Sequence, residues 1–280
     1  MARSTEVRTA KLSARKGGLV RYRARVEYDG TDFAGFQAQP GRRTVQGELE
    51  KALTRLNDGK RIRIDGAGRT DAGVHAQGQV VAFSYAGRLS AVELGRSLGA
   101  MLPGDVAIGP IRRVAPGFQP RQAARLREYR YSIWNGPPSP LRERFALAVG
   151  ERLDVPAMQQ AAQALVGRHD FSAFGGGHVQ PIRTLKGVRV RRSGRMITID
   201  VVGDAFLRQM VRSIVAALLR IGRGEATEED LLNELRSPGR AFAGAIAPPQ
   251  GLCLRRVVIG SASGTRNDKG IGRTREAEAE

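Results

Sequence analysis

Alternating hydrophobic and polar residues near the start of the chain predict a strand with one basic face. In the segment RYRARVEYDG at residues 21–30, Tyr22, Ala24, Val26 and Tyr28 alternate with charged residues. A period of two places all the hydrophobic side chains on one face of a strand. We therefore predict a half-buried strand whose other face carries arginine side chains.

Helical periodicity follows this strand. Thr44 can cap a helix whose apolar residues fall on one side, namely Val45, Leu49, Ala52, Leu53 and Leu56. Ser90 and Glu93 have the spacing of a capping box for a second helix, which is expected to end before Pro103. Between the two helices, the segments RIRIDGAG and QVVAFSYAG are predicted to be strands on either side of a glycine-rich loop.

The second half of the chain repeats this mixture of strands and helices. The segment REYRYSIWNG, residues 127–136, is another strand of alternating Tyr and Arg residues. A helix is expected from about residue 156 to 166, and residues 188–203 are expected to form a hairpin that turns at Ser193 and Gly194. The remaining predicted elements are a long helix from Asp204 to about Ile221, a shorter helix capped by Thr227 and Asp230, and a final strand at residues 251–260.

Two strand-rich halves, each opening with a Tyr/Arg strand, suggest an internal duplication. Short turns between strands favour an antiparallel or mixed sheet with helices on one face, an α+β fold. A break near residues 115–117 predicts an N-terminal domain at 19–116, with the glycine-rich loop, and a C-terminal domain at 117–260. Residues 1–18 are expected to be a flexible basic arm and residues 261–280 a disordered tail.

The net charge of the chain indicates what kind of partner it binds. The 280 residues contain 46 Lys and Arg against 27 Asp and Glu, which gives a net charge of +19. Such an excess indicates a polyanionic partner, with nucleic acid ahead of membrane or acidic protein, and the alternative is a basic but solvated surface. A hydrophobic content of 41% argues against a disordered basic polymer.

Cysteine and histidine usage excludes several classes of protein. One cysteine and three scattered histidines rule out an intramolecular disulfide, a zinc finger and an iron–sulfur site, so we expect no metal. The start of the chain lacks the apolar region of a secretory signal. The most hydrophobic stretch, residues 210–221, contains two arginines and is too short to cross a bilayer. We therefore expect a cytoplasmic protein without a membrane partner.

The densest chemical signal is the segment GAGRTDAGVHAQGQVVAF at residues 66–83. Its glycines allow positive φ angles and close approach of a ligand to the backbone. Asp71 in this loop can act as a base or nucleophile, with Arg69 two residues away holding the carboxylate ionised. The alternative is a tight turn in which Asp71 only accepts backbone hydrogen bonds.

Two further segments are candidates for RNA contact. In residues 118–135, four arginines that could reach phosphates are interleaved with aromatic rings that could stack on bases: Arg121, Arg125, Arg127 and Arg130 with Tyr129, Tyr131 and Trp134. The alternative is an amphipathic strand with core tyrosines. In the long helix, Arg208 and Arg212 are expected to share one exposed strip that faces either RNA or solvent.

These segments together resemble the tRNA pseudouridine synthase A family, the tRNA pseudouridine(38–40) synthases. The resemblance runs from about Tyr22 to Val258, and its most specific motif is GRTDAGVHA. The other matching motifs are YDGTDFAGFQAQP, TVQGELEKAL, LPGDVAI, REYRY, FLRQMVR and GLCL. The chain departs from the family at Gln119 and Pro120, where members often have His-Ala, and at Gln250, where an acidic residue is common.

The resemblance implies a fold, a partner and site residues. The implied fold is two ferredoxin-like α+β halves that share one long, mainly antiparallel sheet, in a homodimer that binds the anticodon stem-loop of tRNA across both subunits. Asp71 corresponds to the catalytic aspartate, and Tyr129 to the residue that stacks on the target uracil. Arg69 and Arg121 are implied to lie beside the site. A catalytically silent, basic RNA-binding protein is the alternative function.

The chemistry of this isomerisation needs no cofactor, because neither redox change nor transfer of an external group occurs. The N1–C1′ bond of uridine breaks, the base turns, and C5 joins C1′. Asp71 attacks either C6 of the base or C1′ of the ribose, and the sequence does not distinguish the two. Tyr129 and Asp71 are both candidates for removing the proton from C5.

Overall fold

The computed structural model of the chain describes residues 18–176, 180–236 and 245–260. The predicted basic arm, apart from Gly18, and the predicted tail at 261–280 lie outside the described residues. Within the described part of the chain, no helix combines the length and the apolar character needed to cross a membrane.

Eleven strands and seven α-helices make up the regular structure of the described residues. The strands are β1 (Val20–Tyr28), β2 (Ile64–Gly66), β3 (His75–Tyr85), β4 (Val106–Ile108), β5 (Arg112–Arg113), β6 (Ala124–Asn135), β7 (Leu147–Val149), β8 (Gly167–Asp170), β9 (Ile182–Ser193), β10 (Met196–Gly203) and β11 (Leu252–Ile259). The helices are α1 (Val45–Leu56), α2 (Ala91–Met101), α3 (Pro120–Ala123), α4 (Pro140–Glu143), α5 (Val155–Ala164), α6 (Met210–Gly222) and α7 (Glu228–Arg236).

One sheet contains all eleven strands. Its main path runs in the order β4-β1-β3-β11-β6-β10-β9-β8, while β2 pairs with β3, β5 with β1 and β7 with β6. The pairings are antiparallel except those of β11 with β3 and of β6 with β7. The predicted α+β fold with a long, mainly antiparallel sheet is therefore confirmed.

The two halves of the sheet have the same topology. The N-terminal half runs β1-α1-β2-β3-α2-β4, and its strands lie side by side in the order β4-β1-β3-β2. The C-terminal half runs β6-α5-β9-β10-α6-β11, and its strands lie in the order β11-β6-β10-β9. Each half thus places its fourth strand beside its first, and its third between first and second, which is the ferredoxin-like arrangement. The exact boundary between two domains stays a prediction.

Burial along the strands and helices follows the patterns of the sequence. In β1, Tyr22, Ala24, Val26 and Tyr28 are buried, whereas Arg25 is exposed on the opposite face. The same alternation runs through β10, so that one face of the sheet packs against the helices and the other is polar. The predicted helix caps are also present: the Thr44 hydroxyl accepts a hydrogen bond from the Gly47 N–H, and Ser90 and Glu93 form a capping box.

The long helix predicted from Asp204 is wrong at its start, because α6 begins only at Met210. The Asp204 side chain accepts hydrogen bonds from the backbone N–H groups of Thr184 and Ala205, which holds residues 204–209 in a non-helical connection. Gln209 then adopts a left-handed conformation with φ 64°. The hydrophobic spacing continues through this connection because Leu207 is buried for tertiary reasons, not because the backbone is helical.

This difference also overturns the predicted exposed strip of Arg208 and Arg212. Arg208 precedes α6 and is exposed, whereas Arg212 lies in the first turn of α6 with a side chain that is only 13% exposed. The two side chains therefore do not stack on one solvent-facing side of a helix.

Candidate active site

The glycine-rich segment forms an irregular loop, residues 67–74, that joins β2 to β3. We call it the Asp71 loop. Its backbone is fixed by side chains of the sheet: Gln79 Nε2 donates a hydrogen bond to the Gly68 carbonyl at 3.0 Å. The buried hydroxyls of Tyr28 and Thr70 lie 2.8 Å apart and share a hydrogen bond. A loop without regular structure is thus held in one conformation by buried polar contacts.

Two glycines set the path of this loop. Gly73, within it, has φ +76°, a left-handed conformation that a side chain rarely adopts. Gly35, from the preceding connection, has φ +98°, and a Cβ at this position would lie 2.9 Å from the Thr70 carbonyl oxygen. The first glycine was part of the predicted loop, whereas the contribution of Gly35 was missed because it lies in another segment of the sequence.

Asp71 is half-buried and forms its ion pair with Arg212. The Asp71 Oδ2 atom lies 3.5 Å from Arg212 Nη1, and Arg212 Nε donates a hydrogen bond of 2.6 Å to the Ala247 carbonyl. Arg69 is exposed and lines the cleft without an ion pair to the described residues. The cation beside the carboxylate is therefore Arg212, from the C-terminal half, and not Arg69 as predicted.

Tyr129 and Asp71 line the same cleft. Tyr129 lies on β6, and its ring contacts Phe206 edge-on with the ring centres 5.1 Å apart. Burial raises the pKa of Tyr129 to about 12, an effect opposed by the Arg127 cation and increased by the Asp71 carboxylate. The hydroxyl is therefore a neutral phenol at physiological pH. Tyr131 is buried on the same side of the strand, which agrees with the alternative of an amphipathic strand with core tyrosines.

Asp71 and Tyr129 line an open cleft of about 1290 Å³ at the junction of the two halves. This volume exceeds that of a typical small-molecule pocket and leaves room for a base with its sugar and neighbouring phosphates. The arginines that line the cleft come from both halves: Arg21, Arg42, Arg69, Arg121, Arg127, Arg183, Arg208 and Arg212. The acidic residues of the lining are Asp65 and Asp71. Such a lining attracts a polyanion and presents one carboxylate near Tyr129.

The structure brings most of the predicted site residues to this cleft and leaves others away from it. Asp71, Tyr129, Arg69, Arg121, Arg208 and Arg212 all line it. Arg125 is exposed at the start of β6, next to Gly260, and is not part of the lining. Arg130 lies on the opposite side of β6, where its guanidinium is paired with Asp200 at 2.7 Å.

Sequence reasoning also missed the positions of two further cleft residues, Arg127 and Gln209. Arg127 was grouped with arginines that reach phosphates, but it is buried and donates hydrogen bonds to backbone carbonyls. Its spacing of two from Tyr129 on one strand is the signal that could have placed it inward. No sequence pattern marks the left-handed conformation of Gln209.

Comparison with known proteins matches the sequence of the chain to a family. The family model described as tRNA pseudouridine synthase matches residues 24–118 and 161–258. The chain is 42% identical over 246 residues to tRNA pseudouridine synthase A of Shouchella clausii, covering 86% of this chain and 94% of that protein. It is 44% identical over 236 residues to the Pelobacter propionicus protein of the same name, covering 83% and 96% of the two chains.

A third relative is matched over its full length. The tRNA pseudouridine synthase A of Thermosipho melanesiensis is 42% identical over 245 residues, which are 86% of this chain and 100% of that protein. The ranges matched by the family model include residues of both halves of the sheet. The chain therefore belongs to the tRNA pseudouridine synthase A family, and it is an isomerase that converts uridine to pseudouridine in tRNA.

Proposed function

We propose that the chain isomerises uridines at positions 38–40 in the anticodon stem-loop of tRNA, with Asp71 as the nucleophile and without a cofactor. The observation that carries the proposal is the pairing of Asp71 with Arg212 beside Tyr129, in a cleft lined by eight arginines. A carboxylate held by one guanidinium, with an aromatic face beside it, suits attack on a flipped uridine. The positions 38–40 come from the family resemblance.

Binding begins with extrusion of the target base from the anticodon stem-loop. Unstacking costs a few kcal/mol, and stacking on an aromatic ring such as Tyr129 offsets about 1–3 kcal/mol of it. Arg69 and Arg121 both line the cleft, one in the Asp71 loop and one on α3. We propose that they contact the backbone phosphates on both sides of the flipped nucleotide and that Arg208 extends this surface.

The chemical step rearranges bonds within one nucleotide. The N1–C1′ bond breaks, the base rotates, C5 bonds to C1′, and the proton on C5 moves to N1 by way of a base and solvent. Asp71 supplies the attacking carboxylate oxygen, directed at C1′ of the ribose or at C6 of the base, and is released unchanged at the end. Because burial raises the pKa of Tyr129 to about 12, its neutral hydroxyl is a hydrogen-bond donor rather than a base. We assign removal of the C5 proton to the Asp71 carboxylate.

Tritium release from tRNA labelled with [5-³H]uridine tests this function directly. Transcripts that keep uridine at only one of positions 38, 39 and 40 assign the release to a position, and a transcript with cytidine at all three serves as the blank. We expect release from the first set and none from the blank. Release from the blank would refute the positions but not the activity, and tight binding without any release would indicate an RNA-binding protein without catalysis.

We also propose, from the family resemblance, a cytoplasmic homodimer that binds one tRNA across both subunits. Light scattering at the concentration of the activity assay tests the dimer, which should have twice the mass of one chain. A monomer that retains full activity would refute it.

A further inference from the structure

A buried arginine lies under the cleft where the mechanism above does not use it. Arg127 is on β6, two residues before Tyr129 and on the same side of the strand, and its side chain is buried. Its guanidinium donates hydrogen bonds to three backbone carbonyls. Nη1 donates to Asp204 O at 2.6 Å, and Nη2 donates to Ala67 O at 2.8 Å and to Arg121 O at 3.4 Å.

Each of these carbonyls belongs to a different segment of the cleft wall. Ala67 begins the Asp71 loop, so its position sets where the carboxylate lies. Arg121 is in α3, which forms another part of the cleft lining. Asp204 begins the connection of residues 204–209, which leads to Arg212 in the first turn of α6. One side chain therefore hydrogen-bonds to the backbone of the Asp71 loop, of α3 and of the connection that leads to Arg212.

The surroundings of Arg127 are unfavourable for a charged side chain. No described carboxylate forms an ion pair with it, and burial lowers the pKa of Arg127. Burying a charged group costs free energy, and the described partners that offset this cost for Arg127 are neutral carbonyl groups. A buried cation that lines the cleft and holds three segments of its wall is a candidate for a role in the site. The planar guanidinium can donate to three acceptors at fixed angles, which an ammonium group cannot reproduce.

We propose that Arg127 is a positioning residue for the isomerisation, which fixes the Asp71 loop, α3 and the 204–209 connection at a set distance from Tyr129. The inference rests on the proposed roles of Asp71 and Tyr129. Arg127 itself does not touch the nucleotide in this scheme. It acts through the three carbonyl groups, and its loss lets the walls of the cleft move relative to one another.

Arg127→Met tests the proposal, with Arg130→Met as the matched control. Both substitutions remove one positive charge from β6, but Arg130 lies on the opposite side of the strand, and its partner Asp200 keeps an ion pair with Arg191. We expect Arg127→Met to slow single-turnover isomerisation by about 100-fold, the cost of a misplacement near 1 Å, and to leave the Kd for tRNA close to that of the wild-type chain. Arg130→Met should change neither quantity.

Chemical rescue distinguishes positioning from a structural role. Arg127→Ala leaves a cavity under the cleft, and millimolar guanidinium should restore its rate but not that of Asp71→Asn. A folded Arg127→Ala whose rate does not respond would overturn the proposal. If the Met and Ala variants fail to fold, Arg127→Lys keeps the test open, since a folded lysine variant with the wild-type rate would equally overturn it.

Hydrogen exchange separates this proposal from the proposed function. Amide exchange in residues 67–74 should be faster in Arg127→Met than in Arg130→Met, whichever uridine the enzyme modifies. Equal exchange in the two variants would refute the positioning role even if the tRNA activity is as proposed. Faster exchange in an enzyme that does not modify positions 38–40 would refute the positions alone.

Discussion

The two halves of the sheet share one topology and differ most at their corresponding connections. In the C-terminal half, β9 and β10 are joined by a tight hairpin between Ser193 and Met196. In the N-terminal half the same position holds the Asp71 loop, residues 67–74. The equivalent connection is therefore a minimal turn in one half and the carrier of the candidate nucleophile in the other.

The second helices of the halves differ in the same sense. Helix α2 begins with the capping box of Ser90 and Glu93, which satisfies its first backbone N–H groups. Helix α6 begins at Met210, and the preceding Gln209 has a left-handed backbone and makes no side-chain capping hydrogen bond. The N-terminus of α2, which lies outside the cleft lining, is therefore capped, whereas the N-terminus of α6, which lines the cleft, is not. Departures from local preference thus mark the site within a duplicated fold.

We expect the largest loss of rate when the contribution of the N-terminal half to the chemistry, the Asp71 carboxylate, is removed. Asp71→Asn keeps the shape of the side chain and removes the attacking charge, so single-turnover isomerisation should fall by roughly 10⁴-fold or more. tRNA binding should persist, because phosphate contacts supply most of the affinity. Asp65→Asn is the matched control, since Asp65 also lines the cleft but is paired with Arg21. Near-normal turnover by Asp71→Asn would contradict the assignment.

We expect the second largest loss of rate when Arg212, the partner of Asp71 from the C-terminal half, is replaced. Arg212→Met removes the guanidinium that lies 3.5 Å from Asp71, and we expect the rate to fall by about 10²-fold or more, as for other charged groups directed at a reacting centre. The double variant with Asp71→Asn should be no slower than Asp71→Asn alone, because the two residues act as a unit. Additive losses would show that they act separately.

Two substitutions at Tyr129, in the C-terminal half, distinguish the effect of ring stacking from that of the hydroxyl group. Tyr129→Ala should weaken binding of tRNA by about 1–3 kcal/mol through lost stacking, and should also slow the reaction. Tyr129→Phe keeps the ring and should hold the affinity. Because the pKa of Tyr129 is about 12, the rate of the wild-type chain should show no titration of this group between pH 6 and pH 9. A Tyr129-dependent step in the pH–rate profile would contradict the neutral phenol.

A smaller effect is expected at the uncapped helix. Gln209→Gly removes the cost of a left-handed residue with a side chain and should stabilise the fold by about 1 kcal/mol. The rate should fall, but less than for Arg212→Met, because the 204–209 connection becomes more flexible while Arg212 is retained. Thermal unfolding and single-turnover kinetics measure the two changes. A variant that gains stability at the full wild-type rate would show that the strain serves no purpose.

The smallest effects should be equal in the two halves. Thr44 caps α1 and Asp154 caps α5, the first helices of the respective halves. Thr44→Ala and Asp154→Ala should each reduce the free energy of unfolding by about 1 kcal/mol and leave the isomerisation rate unchanged. Denaturant unfolding tests the first statement. A change in rate in only one of the two variants would extend the asymmetry of the halves from their connections to their helices.

The sequence predicted those features that depend on local pattern. The alternation in β1, the cap at Thr44 and the hairpin at Ser193 are present as predicted, since each is determined by a few neighbouring residues. The glycine-rich loop was also recognised, and its resemblance to a family indicated the chemistry. The duplication was visible only as two Tyr/Arg strands, and the shared strand order became apparent in the sheet itself.

Features that depend on tertiary contacts were not predictable in the same way. The counter-ion of Asp71 comes from Arg212, which is distant in sequence, whereas Arg69 was favoured because it is near. The start of α6 was misplaced because Leu207 and its neighbours are apolar for packing against the cleft and not for helix formation. Pattern alone cannot separate these two reasons for a hydrophobic residue.

The central position of β11 has a consequence for biosynthesis. This strand, from the last described segment of the chain, lies between β3 and β6 and pairs Cys253 with His75, directly after the Asp71 loop. During translation the N-terminal half can fold early, but its open edge stays unpaired until residues 252–259 have left the ribosome. A product that ends before residue 252 lacks the strand that joins the two halves of the sheet, and should therefore not complete the cleft.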